Sequence, residues 1–254
     1  MRKVNLVDET AVQSLIAETE PDAVINTASL TNVDLCESDF ENALTINGRM
    51  PGILARRCSQ AGTLMVHVST DYVFDGSRGD YNEDDTPNPI NRYGKSKLEG
   101  EQQVAANSRD YCIARTSALY GWGRRYRPNF ATWMLDKWTK SEEVKAVTDQ
   151  YVSPTLNTNL ARMLIEVAER RTTRTIHLAG SSRLSRHEFA LILARKFHFD
   201  EHLVVAATSE SLNWVAQRPR DSSLNVSKAL QELNNKPLPA QAALEEFQAE
   251  ANNP

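Results

Sequence analysis

The 254-residue sequence predicts an α/β fold, a doubly wound parallel sheet with a smaller α+β portion. Three observations carry this. Short apolar runs alternate with helix-period stretches through Thr116 in the order β-α-β-α-β-α-β, the pattern of parallel crossover units. The run from Leu64 to Val68, bounded by Gly62 and a polar turn, is apolar enough for a buried strand. It continues into V-H-V-S-T-D-Y-V-F-D-G at 66–76. Ser69, Thr70, Asp71 and Tyr72 therefore fall at a strand's carboxyl end, where open α/β sheets hold their ligands.

Each element has its own reason. Val4 to Leu6 reads as a short strand, and Asp8 or Thr10 then caps a helix with Val12, Leu15 and Ile16 at helical spacing. Pro21 and Asp22 stop it, and Ala23–Asn26 is a second strand ending at Ala28–Ser29. Asp39 to Ser59 carries a helical stripe of Ala43, Ile46, Met50, Ile53 and Leu54, with Pro51 predicting a kink or a break. After the Leu64–Val68 strand comes a Gly- and Pro-bearing loop from Asp75 to Asn91, then a helix over Tyr93–Ala106 and a strand over Tyr111–Thr116.

Beyond residue 128 the chain changes character. Asn129–Lys140 is helical and Val144–Val147 extended. The polar D-Q-Y-V-S-P-T at 149–155 precedes a helix from Asn157 to Arg170, and Thr175–Leu178 reads as a strand. Ser185 caps a helix through Lys196, Val204–Val205 is a short strand, and the aperiodic run Gln217–Leu224 leads to Ser227, a plausible cap. The tail from Ala240 is helical. This divides the chain into residues 1–128, a sheet portion, and 129–254, mainly a cover over the sheet's carboxyl edge with some segments returning to the sheet.

Composition narrows the function. A net charge of −4 argues against a nucleic-acid surface, and Arg124, Arg125 and Arg127, the nearest thing to a basic cluster, read as a solvated loop. No run of 18 apolar residues predicts a membrane span, and the N-terminus has no signal-peptide core. Cys36, Cys58 and Cys112 are odd in number and far apart, so they read as reduced thiols of a cytoplasmic protein. The five scattered histidines predict no metal site.

Chemistry concentrates at Tyr93 and Lys97. Four residues apart on one helix, they share a face. A nearby ammonium favours the phenolate, lowering a pKa ordinarily about 10. A hydroxyl at Thr70 beside such a pair is the equipment for proton transfer at a carbonyl or alcohol oxygen.

At these residues the chain resembles the extended short-chain dehydrogenase/reductases, and among them the dTDP-4-dehydrorhamnose reductase family. The resemblance rests on P-D-A-V-I-N-T-A-S-L-T-N-V-D at 21–34, V-H-V-S-T-D-Y-V-F-D-G at 66–76 and N-P-I-N-R-Y-G-K-S-K at 88–97. R-T-S at 115–117, D-Q-Y-V-S-P-T at 149–155 and R-P-R-D-S-S-L at 218–224 extend it over almost the whole chain. It implies a Rossmann-like sheet, NADPH or NADH as cofactor, and reduction of the 4-keto group of a nucleotide-linked 6-deoxysugar for cell-surface polysaccharide synthesis. In that scheme Tyr93 protonates the alkoxide, Lys97 lowers the Tyr93 pKa and holds the nicotinamide ribose, and Thr70 hydrogen-bonds the substrate oxygen. Asp71, Tyr72, Asn129 and Gln150 match substrate positions, and Ala28, Ser29, Leu30 and Ser69 match strand ends alongside the dinucleotide. Arg218 faces either the nucleotide phosphates or a structural ion pair.

Two departures stand out. Ala118 follows R-T-S where the family often has a sugar-packing tryptophan, for which Trp122 is a possible substitute. The ten glycines at 48, 52, 62, 76, 79, 94, 100, 121, 123 and 180 build no G-x-x-G-x-x-G turn. By comparison with the family, an N-terminally truncated sheet is expected, reflecting a late start or a true short form. The cofactor would then lose its main anion site. The strand at Ala23–Asn26 would become an edge open to another chain, a homodimer included. The alternative to catalysis is a binding role, like that of the similar regulatory beta subunit of methionine adenosyltransferase, or an inactive truncated form.

Overall fold

The computed structural model describes residues 3–123 and 129–251; Arg124, Arg125 and Arg127 lie outside the described residues. Val4–Leu6 is not a strand but leads into a turn. The Asn5 carbonyl accepts the Asp8 N–H at 3.1 Å and its side chain accepts the Val7 N–H at 3.3 Å, so this backbone is satisfied locally. Helix α1 (Glu9–Thr19) follows, with Asp8 accepting from the Thr10 and Ala11 N–H groups. Strand β1 (Ala23–Asn26), α2 (Val33–Ser38) and α3 (Phe40–Ala43) come next.

Leu44–Arg49 is π-helical and runs straight on into α4 (Met50–Ala61). Pro51 therefore produces no break. A proline ring clashes with the carbonyl four residues back, here that of Asn47. The widened turn relieves this, with the Met50 N–H reaching five residues back to the Thr45 carbonyl. The released Asn47 carbonyl packs against Gly100 so closely that a Cβ there would lie 2.1 Å away.

Strand β2 (Leu64–Thr70), α5 (Arg92–Asn107) and β3 (Tyr111–Thr116) fall where their periodicity predicts. The remaining elements are β4 (Leu119–Tyr120), α6 (Phe130–Thr139), β5 (Val144–Val147), β6 (Tyr151–Val152), β7 (Thr155–Leu156) and α7 (Asn157–Glu169). After them come β8 (Arg174–His177), β9 (Leu184–Ser185), α8 (Arg186–Lys196), β10 (Val204–Ala207), α9 (Ser227–Glu232) and α10 (Ala240–Ala251). Ser185 caps α8 as expected, in a reciprocal capping box with Glu188. Ser227 does not cap α9 but is its first residue; the cap position is Val226, and the Ser227 N–H donates to the Asn225 side chain at 3.0 Å.

The main sheet is parallel, in the order β1-β2-β3-β8. Alternation along β2 explains its two faces. Leu64 and Val66 pack with Cys112, Ala114 and the α7 residues Leu160, Met163 and Val167 on one side. Met65 packs with Ile113 and the α1 and α4 residues Val12, Ile16, Met50 and Leu54 on the other. β8 and α7, from the second half of the chain, thus complete the sheet and one of its covers. A separate core of Tyr120, Trp138, Phe189 and Phe247 holds α6, α8 and α10 around the parallel pair β5–β10. Among the described residues no helix is long and apolar enough to cross a membrane.

Candidate active site

The carboxyl ends of β1, β2 and β3 open onto a cavity of about 360 Å³ lined by Ser29, Ser69, Thr70, Asp71, Tyr93 and Lys97, among others. The parallel register brings them together: β2 delivers Ser69, Thr70 and Asp71 beside the end of β3. Asn91 caps α5 by accepting the Gly94 N–H at 2.8 Å, which starts the helix just ahead of Tyr93.

Asp71 is the knot of the site. It is 3 % exposed, and each of its oxygens is a hydrogen-bond acceptor. The Thr70 hydroxyl donates to Oδ1 at 3.0 Å, and the Ser117 and Ser222 hydroxyls donate to Oδ2 at 2.8 and 2.6 Å. Burial pushes the Asp71 carboxyl up, against the hydrogen bonds of Ser222, Ser117 and Thr70. Three separated motifs, S-T-D-Y, R-T-S and R-D-S-S, therefore meet on one carboxyl group. The Ser222 N–H in turn donates to the Tyr151 carbonyl at 3.0 Å, which draws in the Q-Y-V-S-P-T segment.

Tyr93 is half-buried and lies edge-on to Tyr72, ring centroids 5.8 Å apart. Burial pushes its phenol up, opposed by a hydrogen bond shared with Thr70, while Asp71, Tyr72 and Cys36 add to the rise. Against the sequence expectation, Lys97 is not among the groups that shift it; burial is the leading cause. The Lys97 ammonium is 2 % exposed and donates to the Val68 carbonyl at 2.7 Å. Burial pushes it down to about 8, against the Glu101 carboxylate one turn along the helix. Glu101 is itself gripped by Arg115 through Nε at 3.0 Å and Nη2 at 2.7 Å, with both side chains buried.

The other expected residues divide. Ser29 lines the cavity, whereas Ala28 turns its N–H to the Asn26 side chain at 3.1 Å. Leu30 is held by Asn47, which accepts its N–H at 2.8 Å and donates to its carbonyl at 3.0 Å. The same buried Asn47 accepts the Ser29 hydroxyl and donates to Ser96, next to Lys97. It escaped notice in the sequence, although a polar residue in an apolar helical stripe just before Pro51 was a signal. Asn129 caps α6 and donates to the Gly121 carbonyl at 2.7 Å, occupying both ends of its amide. Trp122 does not substitute for the missing tryptophan: it stacks on Phe247 of α10 at 4.6 Å and donates to that residue's carbonyl.

Tyr72 and Gln150 line an adjoining cleft of about 240 Å³, joined by a hydrogen bond from the Gln150 amide to the Tyr72 hydroxyl at 3.0 Å. Arg218 also lines it, paired with Asp34 at 3.0 Å. Arg186 was missed. Its signal was an arginine at the first position of a helix, where the backbone dipole disfavours a cation. Among the described residues no cluster of His, Cys, Asp or Glu is placed to hold a metal.

Residues 1–253 match the family model of the RmlD substrate binding domain. A probable low-salt glycan biosynthesis reductase of Haloferax volcanii is 35% identical over 236 residues, 92% of this chain and 79% of that protein. Methionine adenosyltransferase 2 subunit beta of Bos taurus is 32% identical over 234 residues, 89% of this chain and 69% of that protein. A crystal structure of dTDP-4-dehydrorhamnose reductase from Bacillus anthracis in complex with NADP superposes with a TM-score of 0.91. Its identity is 31%, over 97% of this chain and 87% of that one. With its parallel sheet, its crowded strand ends and its match over nearly every residue, the chain belongs to the RmlD substrate-binding-domain family.

Proposed function

We propose that the chain reduces the 4-keto group of a nucleotide-linked 6-deoxysugar, converting dTDP-4-dehydrorhamnose to dTDP-rhamnose, with NADPH or NADH as reductant. The observation that carries this reading is one cavity, at the sheet's carboxyl edge, lined by Thr70, Tyr93 and Lys97 together. The cavity suits a nicotinamide: Ser29, Ser69 and Lys97 line it, and the buried Thr116 hydroxyl beside them has no partner. A reduced nicotinamide, when bound, supplies the hydride. Tyr93, kept protonated by burial, gives its proton to the oxygen on which charge develops. Lys97 stabilises the phenolate left behind. Tyr72 and Gln150 face the sugar from the adjoining cleft. Asn129 acts by fixing the start of α6.

The test is NADPH consumption by the purified chain with dTDP-4-dehydrorhamnose. Tyr93→Phe is expected to abolish turnover, a loss of at least about a hundredfold, with NADPH affinity by fluorescence titration kept. Turnover surviving in Tyr93→Phe overturns the proton assignment. A binding role is the second reading, favoured by the 32% identity to methionine adenosyltransferase 2 subunit beta. A wild-type chain without turnover that co-elutes with a methionine adenosyltransferase catalytic subunit decides for it.

A further inference from the structure

The cleft beside Tyr72 and Gln150 has an unusual electrostatic character for a chain of net charge −4. Arg186, Arg218 and Lys145 line it, and no carboxylate does. The three cations are not equivalent. Arg218 donates to Asp34 at 3.0 Å and to the Ala216 carbonyl at 3.0 Å, so its charge is already engaged. Arg186 has no ion pair among the described residues. Its Nη1 is buried without a hydrogen-bond acceptor, although a guanidinium ordinarily satisfies its donors when it leaves water.

The placement of Arg186 is firm. Its own N–H donates to the Gln150 carbonyl at 3.1 Å, tying the first turn of α8 to the segment that carries Gln150. Its guanidinium lies over the ring of Phe130, 4.8 Å from the centroid. Its positive field reaches both Tyr72 and Asp71. Asp71 forms no ion pair with it among the described residues; its two oxygens accept from Thr70, Ser117 and Ser222. Trp214, 5.4 Å from the Arg218 guanidinium, walls the same cleft and continues into an opening of about 550 Å³.

We propose that Arg186 is the anion-binding, specificity-determining residue of this cleft and that its unmet donor takes an oxyanion of the ligand. The proposal rests on the nucleotide-sugar reading and sharpens it. The oxyanion comes from the diphosphate of a nucleotide or from a carboxylate on the sugar. Trp214 beside the cations offers a stacking surface for a base, which favours the diphosphate.

The experiment is binding of thymidine diphosphate, inorganic pyrophosphate and glucuronic acid to the full chain, by calorimetry and tryptophan fluorescence. Thymidine diphosphate is expected to bind, and Arg186→Met to weaken it by about tenfold or more, the loss of a charge-assisted hydrogen bond. Arg218→Met is expected to weaken it less. Arg186→Lys keeps the charge but loses the planar fork, and is expected to lose about threefold; it also serves if Arg186→Met does not fold. Glucuronic acid binding that depends on Arg186 supports the proposal with the carboxylate as source. If no probe binds in an Arg186-dependent way, the proposal is overturned. Binding of thymidine diphosphate without turnover overturns the reductase reading and leaves this site standing.

Discussion

At Lys97 the protein holds an ammonium where water cannot reach it. Burial pushes its pKa down from 10.5 to about 8, so the charged form is unwelcome in the native state. The sign follows from proton linkage. Below pH 8 native and unfolded chains are both protonated, and the full cost of burial is present. As pH rises from about 8 towards 10.5 the native state gives up its proton first, and stability rises. Lys97→Met is therefore expected to be more stable than wild type at pH 7, by up to about 3 kcal/mol, less whatever the lost hydrogen bond to Val68 contributes. The advantage should shrink to nothing near pH 10. Denaturant titrations at the two pH values check this, and a variant less stable at pH 7 than at pH 10, relative to wild type, contradicts it.

The helix from Phe40 to Ala61 shows how an element is shaped by its neighbours. Its π-helical stretch frees the Asn47 carbonyl, and Gly100 on α5 is the only kind of residue that fits against it. Gly100→Ala is expected to cost about 2–3 kcal/mol by overpacking, read as a lower urea midpoint with an unchanged slope. No change in midpoint would mean that the helices part without cost. The contrast between what the sequence reveals and hides is sharp here. The stripe Ala43–Leu54 announces a helix through its period, as β2 does through its unbroken apolar run and α8 through the Ser185–Glu188 box. A shift of hydrogen-bond register from four residues to five leaves the stripe intact, so Pro51 predicts a kink or a break where the chain has a widened turn. Ser227 is a good cap by composition, yet the backbone path makes it the first residue of α9 and leaves the cap position to Val226.

For the whole molecule, the convergence of Thr70, Tyr93 and Lys97 on one cavity was legible because all three lie within 28 residues on adjacent elements. The Asp71 knot was not, since its partners are tertiary neighbours: Ser117 is 46 residues away and Ser222 is 151 away. The same holds for Arg186, whose meaning depends on Gln150 and Phe130 arriving beside it. Sequence motifs named the ingredients, and packing decided which touch. Trp122 is the converse case, near the site in the chain and committed to α10 in space.

The Asp71–Ser222 bond also has a consequence for the order of events in folding. Closing a loop of 151 residues costs chain entropy that nearer contacts do not, so such contacts form late. The β2–β3 pairing and the α4–α5 packing are within reach of a partly made chain, whereas the floor of the cavity waits for the segment after Gln217. A segment held by such long-range contacts is a candidate for sub-global opening ahead of the sheet. Under rising urea, turnover should disappear at a lower concentration than the amide protection of β2 and β3, with an opening free energy at least about 1 kcal/mol below that of global unfolding. Coincident loss of both would show that the knot is part of the folding nucleus. If the knot does open first, proteolytic nicking near residue 222 would report loss of competence while most of the sheet is still native.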